Sequence, residues 1–305
     1  MARAEPLDTA LYREWIERGF AGEMRYLTDR RADIRMDPRR LLESAKSMIC
    51  VGMLYGGDKP YSNQYDAEGA GWIARYAWGQ DYHRVMRDGL SRLVARIQDE
   101  SGPFDFKICV DTAPLLERSY ARQAGLGWIG RNTCLIHEGK GSWFFLGEVL
   151  VSLELEPDSP PPDRCGTCMR CIEACPTQAL VGAEDGRWTL DSRRCISYLT
   201  IELRGPIPEE HRAGIGRHVF GCDICQDVCP WNSQAPLDCD PAFEGTVNFA
   251  PKLEELAALT EDEFEKRFGA TPVSRARYSG FLRNVRVAME NDRGRGEQPC
   301  VRLKH

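Results

Sequence analysis

The chain has 305 residues, 42% hydrophobic and 28% charged, with 13 cysteines and a formal net charge of −6. That is enough for roughly two domains, and the acidic balance alone does not point to a nucleic-acid binder. No run reaches the about 20 apolar residues of a membrane span, since even the stretch 143–153 carries Glu148 in its middle.

In chain order, Leu11, Trp15 and Ile16 recur at helical spacing in an opening segment that lacks the apolar block of a secretory signal, which implies a cytosolic protein. SMICVGMLY, 47–55, is a short apolar run suited to a buried strand, and the Gly-, Asp- and Asn-rich 55–72 predicts a long loop. Val85, Leu90, Leu93, Val94 and Ile97 share one face of a helix predicted from about Tyr82 to Gln98. A strand is predicted at 104–111, then a helix opening near Pro114, then a strand at 143–156. The proline-rich PDSPPPD, 157–163, is a linker, and the region beyond 236 is helical in pattern. The predicted fold is α+β: an α/β part over 1–156, a ferredoxin-like two-[4Fe–4S] part over 157–235, and a short helical segment over 236–305.

The cytosol keeps thiols reduced, so an odd cysteine count concentrated in two runs reads as metal or catalysis rather than disulfides. Cys165, Cys168, Cys171 and Cys175, closed by Pro176, match C-x2-C-x2-C-x3-C-P, in which three thiolates hold one [4Fe–4S] cluster and the fourth reaches a second. Cys222, Cys225 and Cys229 repeat the closing half. Two clusters need eight thiolates and the runs supply seven; Cys195 is the preferred eighth, Cys239 the alternative. The crossing rule groups Cys165, Cys168 and Cys171 with Cys229, and Cys175 with Cys195, Cys222 and Cys225. Structural zinc, which prefers two separated pairs, suits this crowding poorly. Cys50, Cys109, Cys134 and Cys300 are isolated and read as small hydrophobes. GLGWIG, 125–130, has the letters of a dinucleotide loop in the wrong order of elements. Arg25, Arg30, Arg31, Arg35, Arg39 and Arg40 crowd one segment, and Arg275, Arg277, Arg283, Arg286, Arg293 and Arg295 another.

RYAWGQDYH (75–83), VDTAPLLERSYARQAGLGWIGRNTCLI (110–136) and the cysteine runs ending CPTQAL and CPWN together resemble the epoxyqueuosine reductase family, in the family's order and across nearly the whole chain. The resemblance implies a cobalamin-binding catalytic domain over 1–156 and a HEAT-like C-terminal segment. It also implies reduction of epoxyqueuosine to queuosine at the tRNA wobble position, in tRNAs for Asp, Asn, His and Tyr. The cofactors would be two [4Fe–4S] clusters and cob(II)alamin, reduced to Co(I) and fed by an external low-potential donor in a monomeric enzyme. Asp111 matches the proton donor, its carboxyl expected to be kept protonated by burial; the alternative is that it caps the helix near Pro114. Tyr76, Asp81, His83, Arg118, Asn132, Ser197 and Asp223 match positions near cobalamin or substrate. The arginine clusters become candidates for the tRNA face, with Trp72, Trp78 or Tyr198 to hold a flipped base. Many relatives have a longer helical repeat region after the segment ending AMEN. The rival readings are another cobalamin and iron–sulfur reductase, such as a reductive dehalogenase, and a pure electron carrier.

Overall fold

The computed structural model describes residues 1–65, 67–183, 186–245 and 248–294; Arg295 and Cys300 lie outside them. Among the described residues a four-stranded antiparallel sheet runs, edge to edge, through Ala2–Arg3, Ser47–Leu54, Phe144–Val151 and Phe106–Cys109. Alternation along the central strand sends Val149 and Val151 to one face and Leu150 to the other. On the first face lies the helix Tyr82–Ser101, packing Met86, Leu90 and Val94 against the sheet. It lies close because Gly147 has no side chain: a Cβ there would sit 2.7 Å from the Met86 methyl. On the second face lies the helix Glu117–Gln123, through Tyr120 and Ala121.

The helix predicted near Pro114 begins three residues later, at Glu117, with Leu116 in the capping position and no side-chain cap. The intervening residues are spent on a bend that holds Asp111 at φ 50. Gly125, at φ 77, ends that helix, with the Gly125 and Leu126 amides donating back to the carbonyls of Arg122 and Ala121. A hairpin of Trp128–Ile129 and Leu135–Ile136 follows, and a Cβ at Gly127 would lie 2.2 Å from the Ile136 carbonyl oxygen. The glycines of GLGWIG therefore serve a helix end and a tight hairpin.

The loop 55–72 ends in a strand the sequence pattern missed: Trp72–Ile73 pairs in parallel with His218–Phe220. Around that pair a core gathers Trp72, Ile73 and Trp78 with Val219 and Phe220 and with Phe264, Phe268, Phe281 and Val285 of the C-terminal helices. The breaks read near 157 and 236 are thus breaks in composition, and one core crosses both. Asn284, fully buried on the helix Arg277–Gly294, donates to the carbonyls of Thr200 (2.7 Å) and Val219 (2.9 Å) and fastens that helix to the cysteine-bearing segment. No helix among the described residues is long and apolar enough to cross a membrane.

Phe281 has no exposed surface and meets the rings of Phe264 and Phe268 at 5.1 and 5.2 Å. Phe281→Ala should cost about 3–5 kcal/mol in chemical unfolding, whereas truncating exposed Leu237 (65% accessible) should leave the midpoint unchanged.

Candidate functional site

Asp111 follows the edge strand Phe106–Cys109. Its carboxylate meets His83 Nε2 at 3.1 Å and the Arg275 guanidinium at 3.8 Å, while 43% of the side chain stays open to solvent. His83 is held from behind: its Nδ1 lies 2.7 Å from Asp81, which also accepts the His83 amide and caps the helix Tyr82–Ser101. Tyr82 stacks on Phe145 at 4.3 Å and on His83 at 4.2 Å. Tyr76, packed edge-on against Tyr82, titrates high through burial and then through the charge of Asp111. Arg275 is in turn bound to Glu202 at 2.6 Å and to the Tyr26 hydroxyl at 3.1 Å. Asp111, His83, Asp81 and Tyr76 therefore form one group.

The expected burial-protonated state of Asp111 is not what this geometry favours. Burial pushes its carboxyl up, but the hydrogen bond and charge of His83, and then Arg275, outweigh it and hold it below the usual carboxylate range. His83 is the reciprocal case: burial opposes its charge, and the carboxylates of Asp111 and Asp81 prevail and raise it. The proton of the pair rests on the imidazole. Nor does Asp111 cap a helix; its own amide donates to Glu117 Oε1 at 2.5 Å.

Glu117 and Arg118 open the helix Glu117–Gln123 and tie two turns to it. Glu117 takes the Asp111 amide, and Arg118 donates to the carbonyl of Thr133, a β-branched residue at φ 62. Next to Thr133, the thiol of Cys134 lies beside that of Cys225. It is thus not the isolated residue its sequence position suggests. Asn132 braces the same turn: its carbonyl oxygen accepts the Cys134 amide (3.1 Å) and its amide donates to the Cys225 carbonyl (3.2 Å). Asn132 thereby clamps this turn to the second cysteine run.

The cysteines fall into two neighbourhoods. Cys165, Cys168, Cys171 and Cys229 line one cavity of about 250 Å³, together with Arg131, Arg164 and Arg170. Cys195 lies near Cys175, and Cys222 and Cys225 lie near Cys195. Cys239 stands apart, beside Glu244. Donors are aimed at the sulfurs: the Ser197 amide and hydroxyl and the Tyr198 amide at Cys195, the Ile224 amide at Cys222, and the Trp231 and Asn232 amides at Cys229. Burial raises all three thiols, and these bonds oppose it in favour of the thiolate that a cluster requires. No three described His, Cys, Asp or Glu side chains converge as ligands of a single ion. The first group surrounds a cavity rather than a point, which suits a cluster better than zinc.

Ser197 is thereby placed at Cys195. Asp223 is 2% exposed and accepts from the Arg75 amide (2.7 Å) and the Trp72 indole (3.2 Å), and its charge, like that of Asp111, bears on Tyr76. The three aromatics considered for base stacking are all buried: Trp72 and Trp78 in the core crossed by the C-terminal helices, and Tyr198 with its hydroxyl on the Glu23 amide. Of the arginines, Arg35 is buried on the Tyr26 carbonyl and Arg283 is spent on three backbone carbonyls. Arg31 and Arg39 pair with Asp29 and Asp37. Arg25, Arg30, Arg40, Arg277, Arg286 and Arg293 stay exposed. The two segments meet at Tyr26, whose ring carries both Arg31 and Arg275. Sequence reasoning missed Arg275, Glu202 and Tyr26 as neighbours of Asp111, because no local pattern links positions so far apart.

Residues 35–112 match a family model described as epoxyqueuosine reductase QueG, DUF1730, and residues 164–232 match a 4Fe-4S double cluster binding domain. The chain is 44% identical to the epoxyqueuosine reductase of Xanthomonas campestris over 291 residues, covering 94% of this chain and 80% of that one. It is 39% identical to the Escherichia coli enzyme over 279 residues, covering 91% and 72%. Among solved structures, epoxyqueuosine reductase from Streptococcus thermophilus superposes with a TM-score of 0.81 at 35% identity, covering 95% of this chain and 76% of that one. An epoxyqueuosine reductase holding an epoxyqueuosine-modified tRNA-Tyr stem loop superposes with a TM-score of 0.83 at 30% identity, with the same coverage.

The Asp111–His83 pair sets a pH window for stability. Asp111, lowered from 3.8, contributes above that value and loses its contribution as pH falls; His83, raised from 6.5, contributes fully below that value and loses it as pH rises through the folded pKa. The stability difference between the wild type and His83→Gln should therefore peak between about pH 4 and 6.5 and shrink on either side. Solvent screening limits it to about 1 kcal/mol, measurable by chemical unfolding across pH.

Proposed function

The chain belongs to the epoxyqueuosine reductase family, and from that premise we propose that it reduces epoxyqueuosine to queuosine at the tRNA wobble position, the last step of queuosine formation. One observation carries this reading. The loop of Asp111 and the turn of Cys134, which lies beside Cys225, are tied to the adjacent residues Glu117 and Arg118, so an acid and an electron-carrying sulfur group would share one support.

Cys165, Cys168, Cys171 and Cys229 would hold one [4Fe–4S] cluster, and Cys175, Cys195, Cys222 and Cys225 the other. The arginine-lined cavity of the first group and the amides aimed at Cys195 and Cys222 fit anionic thiolate clusters. A corrin would be held beside Asp111 by Tyr76, His83 and Arg118. Both ring nitrogens of His83 are engaged by carboxylates, so this side chain offers no free nitrogen as an axial ligand. When bound, the corrin supplies a low-valent cobalt nucleophile and the clusters supply single electrons.

The chain's own residues handle the protons. Converting an epoxide to an alkene and water consumes two electrons and two protons, and the oxygen that breaks from carbon must be protonated as it leaves. Asp111 presents the open carboxyl for that transfer. His83, which holds the proton at rest, reloads it through the 3.1 Å contact. Asp81 orients the imidazole and favours its charged form. For the RNA, exposed Arg25, Arg30, Arg40 and Arg277 would supply phosphate contacts on the side where the two arginine segments meet; local positive charge suffices there despite the acidic total. Electrons would come from an external low-potential donor to a monomeric, cytoplasmic enzyme.

Asp111→Asn should keep full iron and corrin content while epoxide reduction on modified tRNA falls about 10²–10⁴-fold; normal turnover would refute the acid role. Cys195→Ser should lose about one cluster's worth of iron in anaerobic material, and Cys239→Ser should lose none.

A further inference from the structure

Behind Asp111, on the face of the sheet covered by the helix Glu117–Gln123, lies a carboxyl that the mechanism leaves unused. Glu148 is fully buried at the centre of the strand Phe144–Val151, where the register sets Cys50 on one side of it and Cys109 on the other. Neither of its carboxylate oxygens meets an N–H or O–H donor among the described residues. What it faces is the carboxyl of Glu117. Two carboxylates are both acceptors, and they can satisfy one another in a dry interior only by sharing a proton.

We propose that Glu117 and Glu148 form a buried acid pair holding one shared proton, and that this pair is the positioning element that fixes the Asp111 loop through the Asp111 amide. The inference deepens the reading above, on which its link to turnover rests. Three observations support it. Glu117 Oε1 accepts the Asp111 amide at 2.5 Å, so its other oxygen is left for Glu148. Burial first, then the charge of Asp111, pushes the Glu117 carboxyl up to about 7. Burial first, then Glu117, pushes Glu148 well above the usual range. The charged or titratable groups around the pair are Asp111 from the loop, Arg118 from the helix, Cys50 and Cys109 from the flanking strands and Tyr82 from the opposite helix. Of these only Arg118 is cationic, and it is spent on the Thr133 carbonyl. A doubly ionised pair would have little to balance it, whereas a pair with one proton carries a single charge, spread over a contact with a backbone donor.

The test uses anaerobic holoprotein. At neutral pH the infrared spectrum should show a protonated carboxyl band that shifts in heavy water, persists in Asp111→Asn and disappears in Glu148→Gln. In hydrogen exchange, Glu117→Ala should speed exchange of the Asp111 amide at least about tenfold, while Glu117→Gln, which keeps an acceptor, should restore it. With turnover, Glu148→Gln should displace the alkaline limb of the pH–rate profile. A band absent at neutral pH, a band surviving Glu148→Gln, or an Asp111 amide indifferent to Glu117→Ala would each overturn the proposal. If Glu148→Gln does not fold, the wild-type band and the Glu117 exchange pair decide alone. The spectroscopic and exchange readings need no substrate, so they stand or fall separately from the assigned reaction.

Discussion

The start of the helix Glu117–Gln123 governs the chemistry of this protein, because two consecutive side chains there hold two turns in conformations they would not adopt alone. Asp111 at φ 50 and Thr133 at φ 62 each carry a backbone cost of order 1–3 kcal/mol. Glu117 and Arg118 meet that cost with hydrogen bonds to the Asp111 amide and the Thr133 carbonyl. The acid's position and the position of Cys134 beside Cys225 are therefore not independent.

Asp111 stands between opposed charges. In front are His83 and Arg275, which favour its ionised form; behind is Glu117, whose charge repels it. The balance is tilted toward ionisation, with the proton on His83. A carboxyl placed this way can take up and release a proton without a large reorganisation of its surroundings. Arg275 reaches it from the C-terminal segment, tethered through Glu202 to the helix region that follows Cys195. Residues from every part of the chain converge on one side chain.

Much of this was legible in the sequence. The strands at 47–54 and 144–151 and the long helix at 82–101 announced themselves through apolar periodicity, and the cysteine spacing announced the sulfur groups. The count called for an eighth thiolate and Cys195, between the two runs, was preferred to Cys239 beyond them; the fold brings it near Cys175, Cys222 and Cys225. What stayed hidden was non-local. Trp72–Ile73 is too short to show a period and becomes a strand only because His218–Phe220 arrives beside it. Trp72, Trp78 and Tyr198 looked available as aromatics of a loop and a helix, but burial follows the C-terminal helices, which no local pattern relates to them. Asp223, Asn132 and Ser197 also have protein partners that the sequence did not announce: amides, carbonyls and sulfur. A polar side chain's partner in the fold cannot be read from its neighbours in the chain.

The fastening of the last helix by Asn284, with Val287 packed in the same cluster as Cys195 and Cys222, bears on how the protein matures. During synthesis Cys195 and Cys222 leave the ribosome ahead of the helix that packs beside them, by about 60 residues or more, a few seconds at about 5–20 residues per second. The packing around Cys195 and Cys222 is therefore completed only by the last helix to emerge, whereas the cavity of Cys165, Cys168, Cys171 and Cys229 is lined without it.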